Sequence, residues 1–339
     1  MPVEYSGIAK EHTAVRTAAG LFDVSHMGEF EVTGPTALHL IQFITSNDAS
    51  QLADGQVQYS VLTTPQGTAI DDLLVYRHAP DRFTLVVNAA NIESDLEWIR
   101  SHNTVGSARV EDVSDQTGLL ALQGPRAAGI LQGLTDVVLS DLPSYHFRLG
   151  HVLGVETLVS RTGYTGEDGF ELYFPASESE KLWTEILKAG EATGLLPAGL
   201  GARNTLRLEA KLLLYGNDLD RTTSLLEAGL GWIVKFDKGE FIGRDALARQ
   251  KAGGVKRKLS GFVMLGRDIA RDHYPVYVNG AEVSHVTSGS PSITLKQNIG
   301  LTYLPVEHAA PGTKLEVSVR GRACEAEVVR TPFYKRKDS

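Results

Sequence analysis

From residue 256 onward, strand-like alternation dominates the chain. It runs through LSGFVML, YPVYVNGAEVSHVTS, NIGLTYL and TKLEVSVRGRACEAEVVRTPF. Asn279-Gly280 and Arg320-Gly321 are hairpin signals, because two successive residues with positive φ suit the tight turn between antiparallel strands. A stretch of about 80 residues built this way closes its own hydrogen-bonding edges best as a small β-barrel or sandwich. Glycines and charges in QKAGGVKRK (250–258) interrupt the apolar pattern and mark a linker before it.

The part before this linker has mixed texture. IAKEHTAVRTAAG (8–20) reads as a helix closed by Gly20, and LFDVSHMGEFEVTG (21–34) as strand with a turn. PTALHLIQFITSND (35–48) is helical, with Pro35 in its first turn. Three strands with turn punctuation follow from residue 56, then a helix at 91–103. RVEDVSD and GLLALQG read as strands, and 125–134 as a helix. Residues 147–175 read as three strands with an intervening loop, and 177–194 as a helix capped by Ser177. A further helix is expected over 201–216. The class is α+β, and 339 residues make two or three domains.

A net charge of -8 ranks nucleic-acid binding low, since such proteins carry a basic excess. The single cysteine, Cys324, permits neither an intramolecular disulfide nor a cysteine-based zinc site, and implies a reducing compartment. Neither a signal-type N-terminus nor a membrane-length apolar run is present, so a cytoplasmic protein with no membrane partner is expected. Dinucleotide, P-loop, HExxH and GxSxG motifs are absent, and the ten histidines are scattered, so no metal is expected.

The acids are more informative. Asp71 and Asp72 sit mid-strand in AIDDLLVY; one must point inward, and a salt bridge is the default partner. Asp95 opens a helix straight after the apolar strand LVV, where a carboxylate also favours the helix dipole. In RTGYTGEDGFELY (161–173), alternation puts Phe170 and Leu172 on one face and Glu171 and Tyr173 on the other. A surface hairpin and the wall of a pocket for a flat, hydrogen-bonding ring both fit that stretch, and an ion pair with Arg203 is one plain use of Glu171.

GLFDVSHMGEFEVTG, IDDLLVYR, VVNAANIESDLEW, LALQGP, RTGYTGEDGFELY, GLGARNTLRLEAKLLLYGNDLD, VTSGSPSITLKQNIGLTYLP and TPFYKR, in this order, resemble the aminomethyltransferases, the T-protein family of the glycine cleavage system. The matches run from about residue 6 to 336. The resemblance implies a three-lobed cloverleaf around a central tetrahydrofolate site, with a discontinuous first lobe and a C-terminal jelly-roll-like barrel. The lobes are expected at 1–50 plus 138–235, 51–137 plus 236–255, and 256–339. It implies transfer of an aminomethyl group from the lipoyl arm of H-protein to tetrahydrofolate, giving 5,10-methylenetetrahydrofolate and ammonia.

Site residues follow from the same resemblance. Glu171 is implied to pair bidentately with the pterin edge, Tyr164 to pack on the ring, and Arg203 to meet the carbonyl or glutamate portion. Arg271 and Tyr334 are implied as further ligand contacts, although Asp272 beside Arg271 departs from the family pattern. Asp95 corresponds to the family's key aspartate, which steadies an iminium-like one-carbon unit and manages the proton at folate N5. The basic runs 256–258 and 335–337 are the expected H-protein surface.

The related iron–sulfur assembly factors carry a KGCYxGQE motif. Here the corresponding stretch is KGEFIGRD (238–245), with Glu240 in place of the cysteine, which argues against that activity. Another folate-dependent one-carbon transferase or demethylase of the same fold is the alternative.

Overall fold

The computed structural model describes residues 1–104 and 107–336. Three β-systems organise them. The first is a six-stranded sheet in the spatial order Leu195–Pro197, Ala19–Asp23, Thr117–Gln123, Gly169–Pro175, Val155–Ser160, Phe147–Val152. Its one parallel contact is Ala19–Asp23 with Leu195–Pro197. The second is a five-stranded antiparallel sheet in the order Gln56–Thr63, Ala69–Ala79, Arg82–Val87, Gly28–Thr33, Arg109–Asp112. The third is the closed six-stranded barrel over Arg257–Val329.

Each open sheet is apolar on both faces, and that dictates the layering. On one face of the six-stranded sheet, Leu21, Leu120, Leu122, Phe170 and Leu172 pack with Ile130, Leu131, Leu182 and Ile186 of its helices. Phe30, Val32, Val75, Leu85 and Val87 of the other sheet pack with Ile41, Ile44 and Ile99 of theirs. The remaining faces meet through Phe22, Ala121, Tyr173, Tyr76 and Val86. Each fully buried large apolar side chain contributes about 1.5–3 kcal/mol, so these three interfaces hold the two sheets as one body. The barrel has its own core, including Phe262, Val276, Leu304 and Val317, and joins the rest through Leu208, Leu225, Ile299 and Leu301.

The barrel and both hairpin signals are as expected. Asn279 and Gly280 have φ of 52° and 78°, Arg320 and Gly321 of 51° and 80°, and each pair turns one hairpin. Other expectations need correcting. Gly20 does not close the first helix, which ends at Thr17; it lies inside a strand, where a Cβ would stand 2.4 Å from Val15 Cγ2. Ser177 caps nothing, because the helix begins at Ser179 after a 3-10 turn. The 201–216 helix ends at Glu209, and the first four residues of the expected linker belong to helix Arg244–Gly253. Strand pairing also divides the lobes at other places than 1–50, 51–137 and 138–235. Gly28–Thr33 belongs with the strands at 56–87, and Thr117–Gln123 with those at 147–175.

Candidate functional site

A cavity of about 500 Å³ opens where the two sheets, the segment after Glu209 and the 228–232 turn come together. Its wall includes Asn88, Asn91, Tyr164, Glu171, Arg203, Lys211 and Trp232. The volume lies in the range that suits a drug-sized ligand, roughly 300–1,000 Å³.

Glu171 reaches this cavity by strand alternation, while its neighbours Phe170 and Leu172 fill the core behind the sheet. One of its oxygens accepts the Thr162 hydroxyl at 2.5 Å. Burial raises the carboxyl above its ordinary range, opposed by that hydrogen bond and by the charge of Arg203. No ion pair joins Glu171 to Arg203; the guanidinium lies over the Tyr164 ring, 4.5 Å from its centre. The Tyr164 hydroxyl donates to the Leu213 carbonyl, pinning the ring. Gly163 lets the loop lie directly on Gln123: a Cβ there would stand 1.9 Å from Gln123 Oε1. The polar loop and the strand after it therefore form a pocket wall.

Asp95 stands in the first turn of helix Ile92–Ser101, buried behind the cavity wall rather than in it, and neither oxygen accepts a hydrogen bond from a described N–H or O–H donor. Its neighbour is Asp71, also buried. Asp71 accepts the Asn88 backbone N–H at 3.0 Å, Asn88 Nδ2 at 2.8 Å and Asn91 Nδ2 at 2.8 Å. Asp72 takes the Tyr59 hydroxyl at 2.9 Å and Asn88 Nδ2 at 3.0 Å. The salt bridge expected for these strand acids is absent among the described residues; amides and a phenol replace it. Burial, followed by Asp71 alongside, pushes the Asp95 carboxyl far upward, while burial raises Asp71 against the pull of its donors, so the pair favours keeping one proton, on the Asp95 side. Like charges in a dry site cannot both ionise, and the donors around Asp71 decide which one does.

Two expected ligand residues lie elsewhere. Arg271 is exposed in a turn before the barrel strand Pro275–Val278 and is not part of the cavity wall. Tyr334 donates to Glu167 at 2.8 Å, and its ring carries the Arg16 guanidinium 4.0 Å from its centre. That places it in the network of Arg16 and Glu209 that ties the C-terminal segment to the first helix. Asn88, Asn91, Tyr59, Lys211 and Trp232 were not anticipated. The two asparagines stand in the very NAAN run that introduces Asp95, so their role was within reach of the sequence. The others come from distant segments that only the fold assembles. Among the described residues, no group of three or more His, Cys, Asp or Glu is arranged to hold a metal ion, and no helix is long and apolar enough to cross a membrane.

A two-sheet body with an attached barrel encloses a cavity walled by a carboxylate and a pinned tyrosine, and the chains it resembles are one-carbon transferases. Residues 1–238 match the family model of the GCVT N-terminal domain, and residues 257–335 that of the glycine cleavage T-protein C-terminal barrel domain. The chain is 55% identical to the aminomethyltransferase of Symbiobacterium thermophilum, over 99% of this chain and 91% of the relative. It is 52% identical to that of Shouchella clausii, over 99% and 92%. The crystal structure of glycine cleavage system aminomethyltransferase T from Bartonella henselae superposes with a TM-score of 0.93 at 33% identity, over 99% of this chain and 92% of that one. The chain belongs to the aminomethyltransferase family, the T-proteins of glycine cleavage.

Proposed function

We propose that the protein takes the aminomethyl group from the lipoyl arm of H-protein, releases ammonia and forms 5,10-methylenetetrahydrofolate. The observation that carries this reading is the composition of one cavity. Glu171, Tyr164 and Arg203 stand in its wall together with Asn88 and Asn91, which hold Asp71 beside Asp95.

The residues divide the work. Glu171 keeps an oxygen free for a paired N–H and amino edge, and Tyr164 offers a fixed aromatic face beside it. Asp95, carrying the proton of the acid pair, supplies it to the departing amine; once ionised, it favours positive charge on the one-carbon unit. The apolar wall of Leu73, Leu74 and Leu119 limits water around the transfer. We assign H-protein to the basic surface near Lys256 and Lys335, both exposed. Arg257 is engaged with Glu227, Arg336 lies 3.7 Å from Asp168, and Lys337 lies outside the described residues.

The test is ammonia release from aminomethylated lipoyl H-protein, with and without tetrahydrofolate. Folate-dependent release with methylenetetrahydrofolate formed supports the reading. Tight folate binding with no release identifies another one-carbon donor, such as a sulfonium compound, and overturns it.

A further inference from the structure

We propose that Lys211 is an anion subsite at the folate cavity that takes the carboxylates of the ligand's glutamate tail. This deepens the function proposed above and rests on it.

Lys211 lies two residues after helix Leu200–Glu209, in the turn that leads to Leu213 and the pinned Tyr164. Its side chain is half-buried and belongs to the cavity wall. The ammonium lies against Gly229, another wall residue: a Cβ built there would stand 3.6 Å from Nζ. Among the described residues, no carboxylate lies within ion-pair distance of it, and Nζ makes no hydrogen bond to protein. A half-buried cation in a pocket wall with no ion pair of its own is open to an anionic ligand, which strengthens its charge in that partly dry setting. Burial, and then repulsion from Lys258, disfavour its charged form against a smaller pull from Asp218, and an arriving anion favours it.

The backbone supports the same conclusion. Lys211 has φ of 55°, the left-handed region that glycine enters freely and a lysine enters at a cost of about 1 kcal/mol or more. A long cationic side chain held at such a turn, over a cavity, is placed for a contact the protein alone does not make. The wall already has other polar groups: Glu171 for a paired donor edge and Arg203 stacked on Tyr164. What remains for Lys211 is the anionic end of a ligand too long for the ring pocket. A folate carries two carboxylates on its terminal glutamate, and each added glutamate brings one more.

The experiment compares tetrahydropteroate, which lacks the glutamate, with the monoglutamyl and pentaglutamyl forms of tetrahydrofolate, measured by direct binding to the full chain. Lys211→Gln and Lys211→Gly are both made, since glycine relieves the backbone while removing the charge. Both variants are expected to weaken monoglutamate binding by roughly three- to tenfold, as a charge-assisted contact does, with a larger loss for the pentaglutamate and none for tetrahydropteroate. Equal loss for all three ligands, or no loss for any, overturns the subsite. Unchanged folate affinity with a raised KM for H-protein overturns it in favour of a protein-docking role. If the parent chain binds none of the three, the folate reading itself fails, an outcome distinct from the other two.

Discussion

Asp71 accepts three amide hydrogens while Asp95, buried beside it, accepts none. Two carboxyls of the same chemistry are thereby driven apart. Asp71 is supplied with donors that favour its anion, and Asp95 is left as the proton carrier. The pair is assembled by a strand, Ala69–Ala79, and the junction that follows another, Arg82–Val87.

Asp95→Asn should keep the cavity intact and lose the proton. Turnover of aminomethylated H-protein is expected to fall by ~10²–10⁴-fold, with tetrahydrofolate affinity within about twofold of the parent. Steady-state ammonia release and direct folate titration measure the two. Retained turnover would remove Asp95 from the chemistry.

Glu171→Gln replaces an anionic acceptor by an amide that can offer only one oxygen. A charge-assisted bond of this kind contributes about 1.5–3 kcal/mol, so folate affinity should drop by roughly 10- to 150-fold. Unchanged unfolding by urea would show that the loss is local. An affinity equal to the parent's would mean that the pterin edge is held elsewhere.

Glu29 gives a stability test at a residue outside the cavity wall. It is 2% exposed, neither oxygen has a partner among the described groups, and burial followed by Asp112 and Glu171 raises its carboxyl to about 8. The folded state therefore binds this proton more tightly than the unfolded chain. Stability is greatest at low pH with respect to this group and is lost as pH rises from about 4.5 through about 8. Glu29→Gln should flatten that decline, raising Tm at pH 8 by about 3 °C or more while changing little at pH 5. Thermal scans at the two pH values decide it, and an equal shift at both would point to packing.

Tyr334 and Arg271 are predicted to be silent in folate binding. Tyr334→Phe loses only the bond to Glu167, and Arg271→Ala removes an exposed side chain. Folate titration of both variants should match the parent within about twofold, while Tyr334→Phe costs about 0.5–1.5 kcal/mol of stability. A tenfold affinity loss in either would restore that residue to the ligand site.

Charge reversal at Lys256 and Lys335 tests the docking face. The apparent KM for H-protein should rise severalfold at low salt and less at high salt, because exposed charges steer encounter and are screened. No change in KM would place H-protein on another surface.

Local pattern alone determined the barrel, its two hairpin turns and the face of Glu171, since each depends on periodicity or on residues adjacent in the chain. The ordered motifs determined the family and singled out Asp95. Tertiary structure decided the rest. Whether Gly20 ends a helix or enters a strand depends on its pairing with Leu196 and Gln123, more than 100 residues away. Whether Asp71 finds a cation or amides depends on the Asn88–Asn91 turn folding back onto its strand. Tyr334 meets Arg16 and Glu167 rather than the cavity because the C-terminal segment returns to the first helix, and Lys211 meets Gly229 because a turn closes over it. These are contacts between segments with no shared pattern. Their energies come from burial and hydrogen bonding that exist only once the sheets have packed, so no local signal announces them.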